Sequence, residues 1–318
     1  MPRGGRARHV SSPSHMTTRT PAASRRVACR IGPVTLAVQA PERAIRLEPA
    51  LRAFQIPADP APMSPCPDSR TELAILVEQD APASRPAAPL ATTHRTGWDI
   101  YRQNNEMTAI KAIPYGGDRV LRSVIMHLDG GSALLRILPE DDERDFPFAY
   151  TLSELLVLLL SRVSGSMLLH GACVEVDGKG MLFAGPSGSG KSTMARLWDG
   201  TGCGTVLGDE SHLLWPGADG GFCISGTPWP GSSGLFANRT APLERIFFLE
   251  HGPRNATRAI SPADAAVRLM SHAFLPAWDA RSMEGVTDLA ARAATRIPSS
   301  RLAFVPDGSA VGFLLGDM

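Results

Sequence analysis

The stretch Met181-Leu182-Phe183-Ala184 followed by GPSGSGKST at 185–193 decides how this chain is read, because an apolar strand runs into a glycine-rich loop and then into a helix. Gly185, Gly188 and Gly190 let successive backbone N–H groups turn inward at an anion, with Pro186, Ser187 and Ser189 completing the loop. Lys191 is placed to neutralise β/γ-phosphates, and Ser192 to offer a hydroxyl to Mg2+. The helix through Thr193 aims its positive end at the same ligand. The expected ligand is therefore ATP with Mg2+.

Upstream, Leu168–Val176 reads as a strand, Asp177-Gly178 as a tight hairpin turn and Gly180–Ala184 as the strand entering the loop. His170 heads the first of these strands, so the hairpin is expected to bring it back beside the phosphates as a hydrogen-bond donor. Downstream, the short strand Thr205-Val206-Leu207 delivers Asp209 and Glu210. Mg2+ prefers hard oxygen ligands, so Asp209 is expected to hold the metal together with Ser192, and Glu210 to accept the proton of an attacking hydroxyl. GTPWPG at 226–231 and Asn238-Arg239 lie in a loop between strands at 222–225 and 245–249. There Trp229 is expected to offer a flat surface to substrate, and Arg239 to stabilise charge on the transferring group.

The 318 residues suffice for one large domain or two, with an apolar content (43%) ordinary for a globular protein. The longest apolar stretch, Leu155–Leu160, is too short to span a bilayer and falls in an expected helix, 152–163, capped by Thr151 and stopped by Gly165. Cys29, Cys66, Cys173, Cys203 and Cys223 are scattered and odd in number. That pattern argues against a disulfide framework or a zinc site and for a reducing cytoplasm.

The net charge of +1 hides an asymmetry. Residues 1–30 hold seven arginines and no carboxylate, leaving 25 basic against 31 acidic residues in the rest. A solvated basic tail over 1–28, an upstream start before Met16 and an organelle transit segment all fit this composition. No aromatic residues interleave the arginines and the body is acidic, which argues against nucleic-acid binding. Only Lys111, Lys179 and Lys191 stand against 29 arginines, so the lysine in the loop departs from the chain's own habit.

Residues 29–150 alternate in short apolar runs (34–38, 72–77, 107–113, 120–128, 133–138) between glycine turns and the proline-rich stretches 57–67 and 81–89. They are expected to form a β-rich accessory region ahead of a catalytic domain at 151–318. In that domain two helices, at 263–270 and 286–294, precede a last strand at 302–305.

The ordered series HGACVEVDGKGMLFAGPSGSGKST (170–193) and TVLGDE (205–210) resembles the catalytic domain of HPr kinase/phosphorylase over about residues 150–315. The GTPW loop followed by Asn-Arg is similar to the HPr-kinase-related branch of that family. The resemblance implies an α/β P-loop kinase domain with a mixed sheet, of the type shared with ATP-dependent phosphoenolpyruvate carboxykinases. It also implies that His170 faces phosphate, that Lys191 and Ser192 hold nucleotide and Mg2+, and that Asp209 and Glu210 occupy the paired-acid positions. Two departures stand out. The second acid is Glu210 where the family usually has Asp, and GTPWPG replaces the Arg-Gly-rich signature of true HPr kinases.

The sequence thus leads to an ATP- and Mg2+-dependent kinase acting on a hydroxyl, a serine of a protein or peptide, with room for a homo-oligomer. An NTPase, a small-molecule kinase and a nucleotide-binding regulatory module remain the alternatives.

Overall fold

The computed structural model describes residues 24–41, 49–56, 71–79, 89–92, 98–103, 106–112, 120–127, 131–137, 160–162 and 164–316. The expected helix at 152–163 lies outside these residues except for 160–162, which are helical, and so do nearly all of the two proline-rich stretches.

Strands β1 (Ser24–Ile31), β2 (Val34–Pro41), β3 (Thr71–Gln79), β4 (Ala91–Thr92), β5 (Trp98–Gln103), β6 (Glu106–Ala112), β7 (Val120–His127) and β8 (Ser132–Ile137) form one sheet, with the helix α1 (Pro49–Phe54) between β2 and β3. Their order is β1-β2-β3-β8-β7-β6-β5-β4. The pairings of β3 with β2 and with β8 are parallel and the rest antiparallel. In β3 the alternation reads directly as two faces: Leu73, Ile75 and Val77 are buried while Ala74 and Leu76 are exposed. The basic tail expected to run to residue 28 already belongs to β1 from Ser24 onward, where Val27 and Cys29 are buried. Apolar side chains on alternate positions outweigh the arginines, of which Arg26 is exposed and Arg30 half-buried.

The second half contains β9 (Met167–Val176), β10 (Lys179–Ala184), α2 (Lys191–Thr201), β11 (Thr205–Gly208), β12 (Ser211–Pro216), β13 (Phe222–Gly226), β14 (Thr240–His251), β15 (Ala256–Ala259), α3 (Pro262–Ser271), α4 (Ala280–Arg296), β16 (Ser299–Phe304) and α5 (Ser309–Gly316). The pairings β10–β9, β9–β12, β12–β13, β13–β14 and β14–β10 close on themselves, and β16 and β15 extend outward from β14. The sheet is mixed, because β14 runs parallel to both β10 and β16. The molecule is therefore a mixed α/β structure dominated by strands.

Helix α2 lays Met194, Ala195 and Trp198 on a core with Val174, Phe183, Phe247 and Phe304, and ends at Gly202, whose left-handed φ of 65° suits glycine. Ser261 and Asp279 cap α3 and α4 by accepting the N–H groups of Asp264 and Ser282. These two helices bury Ala265, Leu269, Val286, Leu289, Ala290 and Ala293 against the opposite side of the strands, with Leu169, Leu182 and Ile246.

A third core cluster joins the two halves. It includes Leu36, Leu73, Ile100 and Met107 from the first sheet and Leu213, Trp215, Trp229 and Phe274 from the second. At this contact the β1–β2 turn carries Gly32 at φ 55°, and a Cβ there would lie 2.5 Å from Trp215. One expectation from composition does not hold: Cys223 is disulfide-bonded, while Cys29, Cys173 and Cys203 form no disulfide. Local cysteine spacing carries no information about a bridge between residues distant in sequence, and the argument for a reducing compartment loses its basis. No helix among the described residues is long and apolar enough to cross a membrane.

Candidate functional site

Strand β9 is the spine of the site. One edge pairs with β10, placing Gly171 opposite Ala184, the last residue before the 185–190 loop. Its other edge is shared in tandem by two strands: β11 lies beside Cys173–Glu175, and β12 beside Met167–His170. Between β11 and β12 the chain turns a corner at Asp209-Glu210, and Gly171 N–H donates to the Glu210 carbonyl at 3.2 Å. His170-Gly171 therefore sits between the glycine loop on one side and the acid pair on the other. Because β10, β11 and β14 all run the same way, their carboxyl ends gather at this edge.

The loop has the shape its residues demand. Gly188 and Gly190 take φ of 82° and 97°. At Gly190 a Cβ would also lie 2.6 Å from the Phe304 ring, so both backbone and packing require glycine. Pro186, Ser187 and Gly188 are exposed, whereas Ser189 is buried and its hydroxyl finds no hydrogen-bond partner. Helix α2 starts at Lys191 with no side-chain cap, which leaves its first N–H groups facing the loop. The buried Lys191 ammonium donates to the carbonyls of Gly185 (2.9 Å) and Pro186 (3.0 Å). Thr193 is half-buried in the first turn.

Asp209 is 1% exposed and accepts N–H groups from Gly231 (2.9 Å) and Ser233 (3.0 Å). Burial alone would raise its pKa, but hydrogen bonds from Ser192 and Ser233, added to the backbone ones, outweigh burial and hold the carboxyl below its ordinary range. An ionised carboxylate is thus held by the segment whose Ser232 reaches Ser192. Ser232 Oγ donates to Ser192 Oγ at 3.0 Å, and Arg196 donates to the Ser232 carbonyl at 3.0 Å.

His170 Nδ1 lies 2.8 Å from the Glu210 carbonyl and 3.4 Å from its carboxylate, with the ring edge-on to Phe274. Two further histidines border this corner. His212, fully buried, has Nε2 3.2 Å from the Gly171 carbonyl, and burial pushes its pKa down to about 4. His272 accepts the His170 N–H on its carbonyl and stacks on Phe248; burial first, then the Lys191 charge, push it down to about 4.

The structure thus brings together the 185–193 loop, His170, Asp209 and Glu210. Two expected residues stand elsewhere. Arg239 lies at the opposite end of β9, in a two-pronged ion pair with Glu175 (3.0 and 3.1 Å) and bonded to Thr205. Glu175 pairs with Gly180, the hairpin end of β10, whereas the loop leaves the other end. A guanidinium paired to its own sheet there has no path to the acid corner. Trp229 is 5% exposed inside the core shared by the two halves, so its ring is buried rather than offering a free surface. The residues that sequence reasoning missed are Gly231, Ser232 and Ser233. The sequence placed them only in or beside the glycine- and proline-rich GTPWPG loop.

Comparison with known proteins starts from the family model described as "SynChlorMet cassette protein ScmC", which matches residues 138–297, half of the chain. The chain belongs to the ScmC family. That match holds β9 through α4 and with them the 185–193 loop, His170, Asp209, Glu210 and the 231–233 segment. No curated protein matches. Among solved structures the chain is similar to the HPr(Ser) kinase/phosphatase from Coxiella burnetii at 12% identity and a TM-score of 0.27, over 47% of this chain and 94% of that one. A likeness of that extent carries no argument about activity.

Proposed function

We propose that this protein is a kinase of the HPr-kinase-related P-loop type, which transfers the γ-phosphoryl group of ATP, with Mg2+, to a hydroxyl, a serine of a protein or peptide. The observation that carries the reading is the placement of Ser192, at the start of a helix that follows a glycine loop, against the 231–233 segment whose N–H groups hold the buried Asp209 carboxylate. Two hard oxygens beside an uncapped helix N-terminus suit a magnesium ion that keeps phosphate oxygens and water as its remaining ligands. Among the described residues no group of three or more His, Cys, Asp or Glu could hold an ion alone, which agrees with that sharing. When bound there, Mg2+ would supply charge neutralisation at the β/γ oxygens.

The chain's own groups have definable tasks. The N–H groups of Gly188 to Lys191 cradle the phosphates, and Lys191 exchanges its two loop carbonyls for phosphate oxygens. Burial keeps the ammonium in a low-dielectric setting where its charge acts strongly on the transition state. His170, fixed by Glu210 through Nδ1, presents its other ring nitrogen to the transferring group. Glu210 is exposed enough to receive the acceptor's proton, a role for which the more stabilised Asp209 anion is less suited.

Calorimetry with Mg-ATP on the protein and on Lys191→Ala tests this reading. The expected result is binding that weakens at least tenfold in the variant, with phosphoryl transfer falling by about 10²-fold or more. Equal affinity and equal turnover in the two proteins would overturn it.

A further inference from the structure

The loop that grips Asp209 presents a serine to the same corner. Gly231 and Ser233 donate their N–H groups to the Asp209 carboxylate, so the residue between them is held in place from both sides. That residue is Ser232. Its side chain is exposed, its hydroxyl donates to Ser192 Oγ at 3.0 Å, and its carbonyl accepts from Arg196, one turn along α2. A serine hydroxyl is therefore fixed beside the first turn of α2, within hydrogen-bond reach of the hydroxyl that the reading above assigns to the metal.

We propose that Ser232 is a phosphorylation site of this chain, filled by its own active site. The inference rests on the kinase reading. Ser232 Oγ attacks the γ-phosphorus, the bond from that phosphorus to the β,γ-bridging oxygen breaks, and ADP leaves with the electron pair. The hydroxyl proton passes to water, which reaches this exposed position. Little base assistance is needed, because transfer of a phosphoryl group through a loose transition state depends mostly on positioning and charge.

The surroundings also suit the product. A phosphoserine at 232 would stand at the positive end of α2, an 11-residue helix, with the Arg196 guanidinium already in contact with its backbone. The unpartnered hydroxyl of Ser189, 3% exposed in the loop just before this helix, is a further donor without an acceptor. An anion near the helix start fits such a donor. Flanking glycines at 231 and 234, the latter at φ 72°, let the segment adjust as the new group is seated.

The test is to incubate the full chain with Mg2+ and γ-labelled ATP, map phosphopeptides by mass spectrometry, and measure ADP release and transfer to added serine peptides in parallel. The expected result is one phosphate on Ser232, at a rate per molecule independent of protein concentration. The label should fall at least tenfold in Ser232→Ala and in Lys191→Ala, and Ser232→Thr should retain it in part. ADP release or peptide phosphorylation without label on Ser232, or label on Ser233 or elsewhere that persists in Ser232→Ala, overturns the proposal and leaves the kinase reading standing. No binding of Mg-ATP overturns both. A labelling rate that rises with protein concentration overturns transfer within one molecule.

Discussion

Two adjacent acids at the β11–β12 corner sit in different surroundings. Asp209 is buried and held ionised by hydrogen bonds from three neighbours, Ser192, Gly231 and Ser233, whereas Glu210 is partly exposed beside His170. In the proposed kinase the two substitutions should separate: Asp209→Asn weakens metal-dependent nucleotide binding, and Glu210→Gln leaves binding near normal while transfer falls by about 10²-fold or more. Titration calorimetry and single-turnover rates on both variants check this, and matching behaviour would end the division of labour. His212 makes a prediction that does not depend on function. Burial lowers its pKa from 6.5 to about 4, so between those values the unfolded chain binds more protons than the folded one. Its contribution is thus present above pH 6.5 and is lost as the pH falls toward 4, by on the order of 3 kcal/mol. His212→Gln should flatten that part of the stability-versus-pH curve in urea titrations, leaving the share of His272, whose pKa is depressed alike. An unchanged slope would mean that His212 is solvated. Neither effect is legible in sequence, because a histidine's burial is set by the strands that cover it.

At the level of elements the sequence was informative where a local rule dominates. The Asp177-Gly178 turn between apolar runs specified the β9–β10 hairpin, and the glycine loop before an apolar helical face specified α2. Strand β12 was missed. Ser211–Pro216 is separated from the end of β11 only by the two acids, with no Gly or Pro between the acids and the apolar run, so a corner in the chain left no local mark. Tandem pairing of β11 and β12 on one edge of β9 is a tertiary event, and that event creates the site. The final helix α5 was likewise read past, since its short apolar run (AVGFLL) contains a glycine, although Asp307 accepts the Ser309 N–H at its start. Gly190 offers a test at this scale. Gly190→Ala must hold φ near 97° with a methyl group 2.6 Å from the Phe304 ring. Strain and overpacking together should cost about 2 to 4 kcal/mol. Chemical denaturation reads that loss directly, and a variant within about 0.5 kcal/mol of wild type would show that the loop relaxes freely.

Across the whole molecule, the two sheets share one core, and a single carboxylate ties three segments at its edge. Asp279 is 1% exposed; it accepts from Ser282 N–H (3.0 Å) and hydroxyl (2.6 Å) as the cap of α4, from Arg162 (3.0 Å) before β9, and from Arg102 (3.1 Å) of β5 in the first sheet. Burial pushes its pKa up, but the Ser282 and Arg162 contacts outweigh that and hold it below the ordinary carboxylate range. The stability it confers is therefore present above the unfolded pKa near 4 and is lost as the pH falls through the lower folded value. The two arginines should not contribute alike. Arg162 is 7% exposed and Arg102 40% exposed, so solvent screens the second pair far more than the first. Removing the carboxylate in Asp279→Ala leaves a buried guanidinium facing a lost cap, and the expected cost is about 3 to 5 kcal/mol. Arg102→Ala should cost about 1 kcal/mol or less. Urea denaturation of both variants and of the double variant decides the matter: near-additive losses, with Asp279→Ala dominant, support an anchor centred on Arg162 and the α4 cap. A loss at Arg102→Ala as large as at Asp279→Ala would instead place the main tie between the two sheets at the exposed pair.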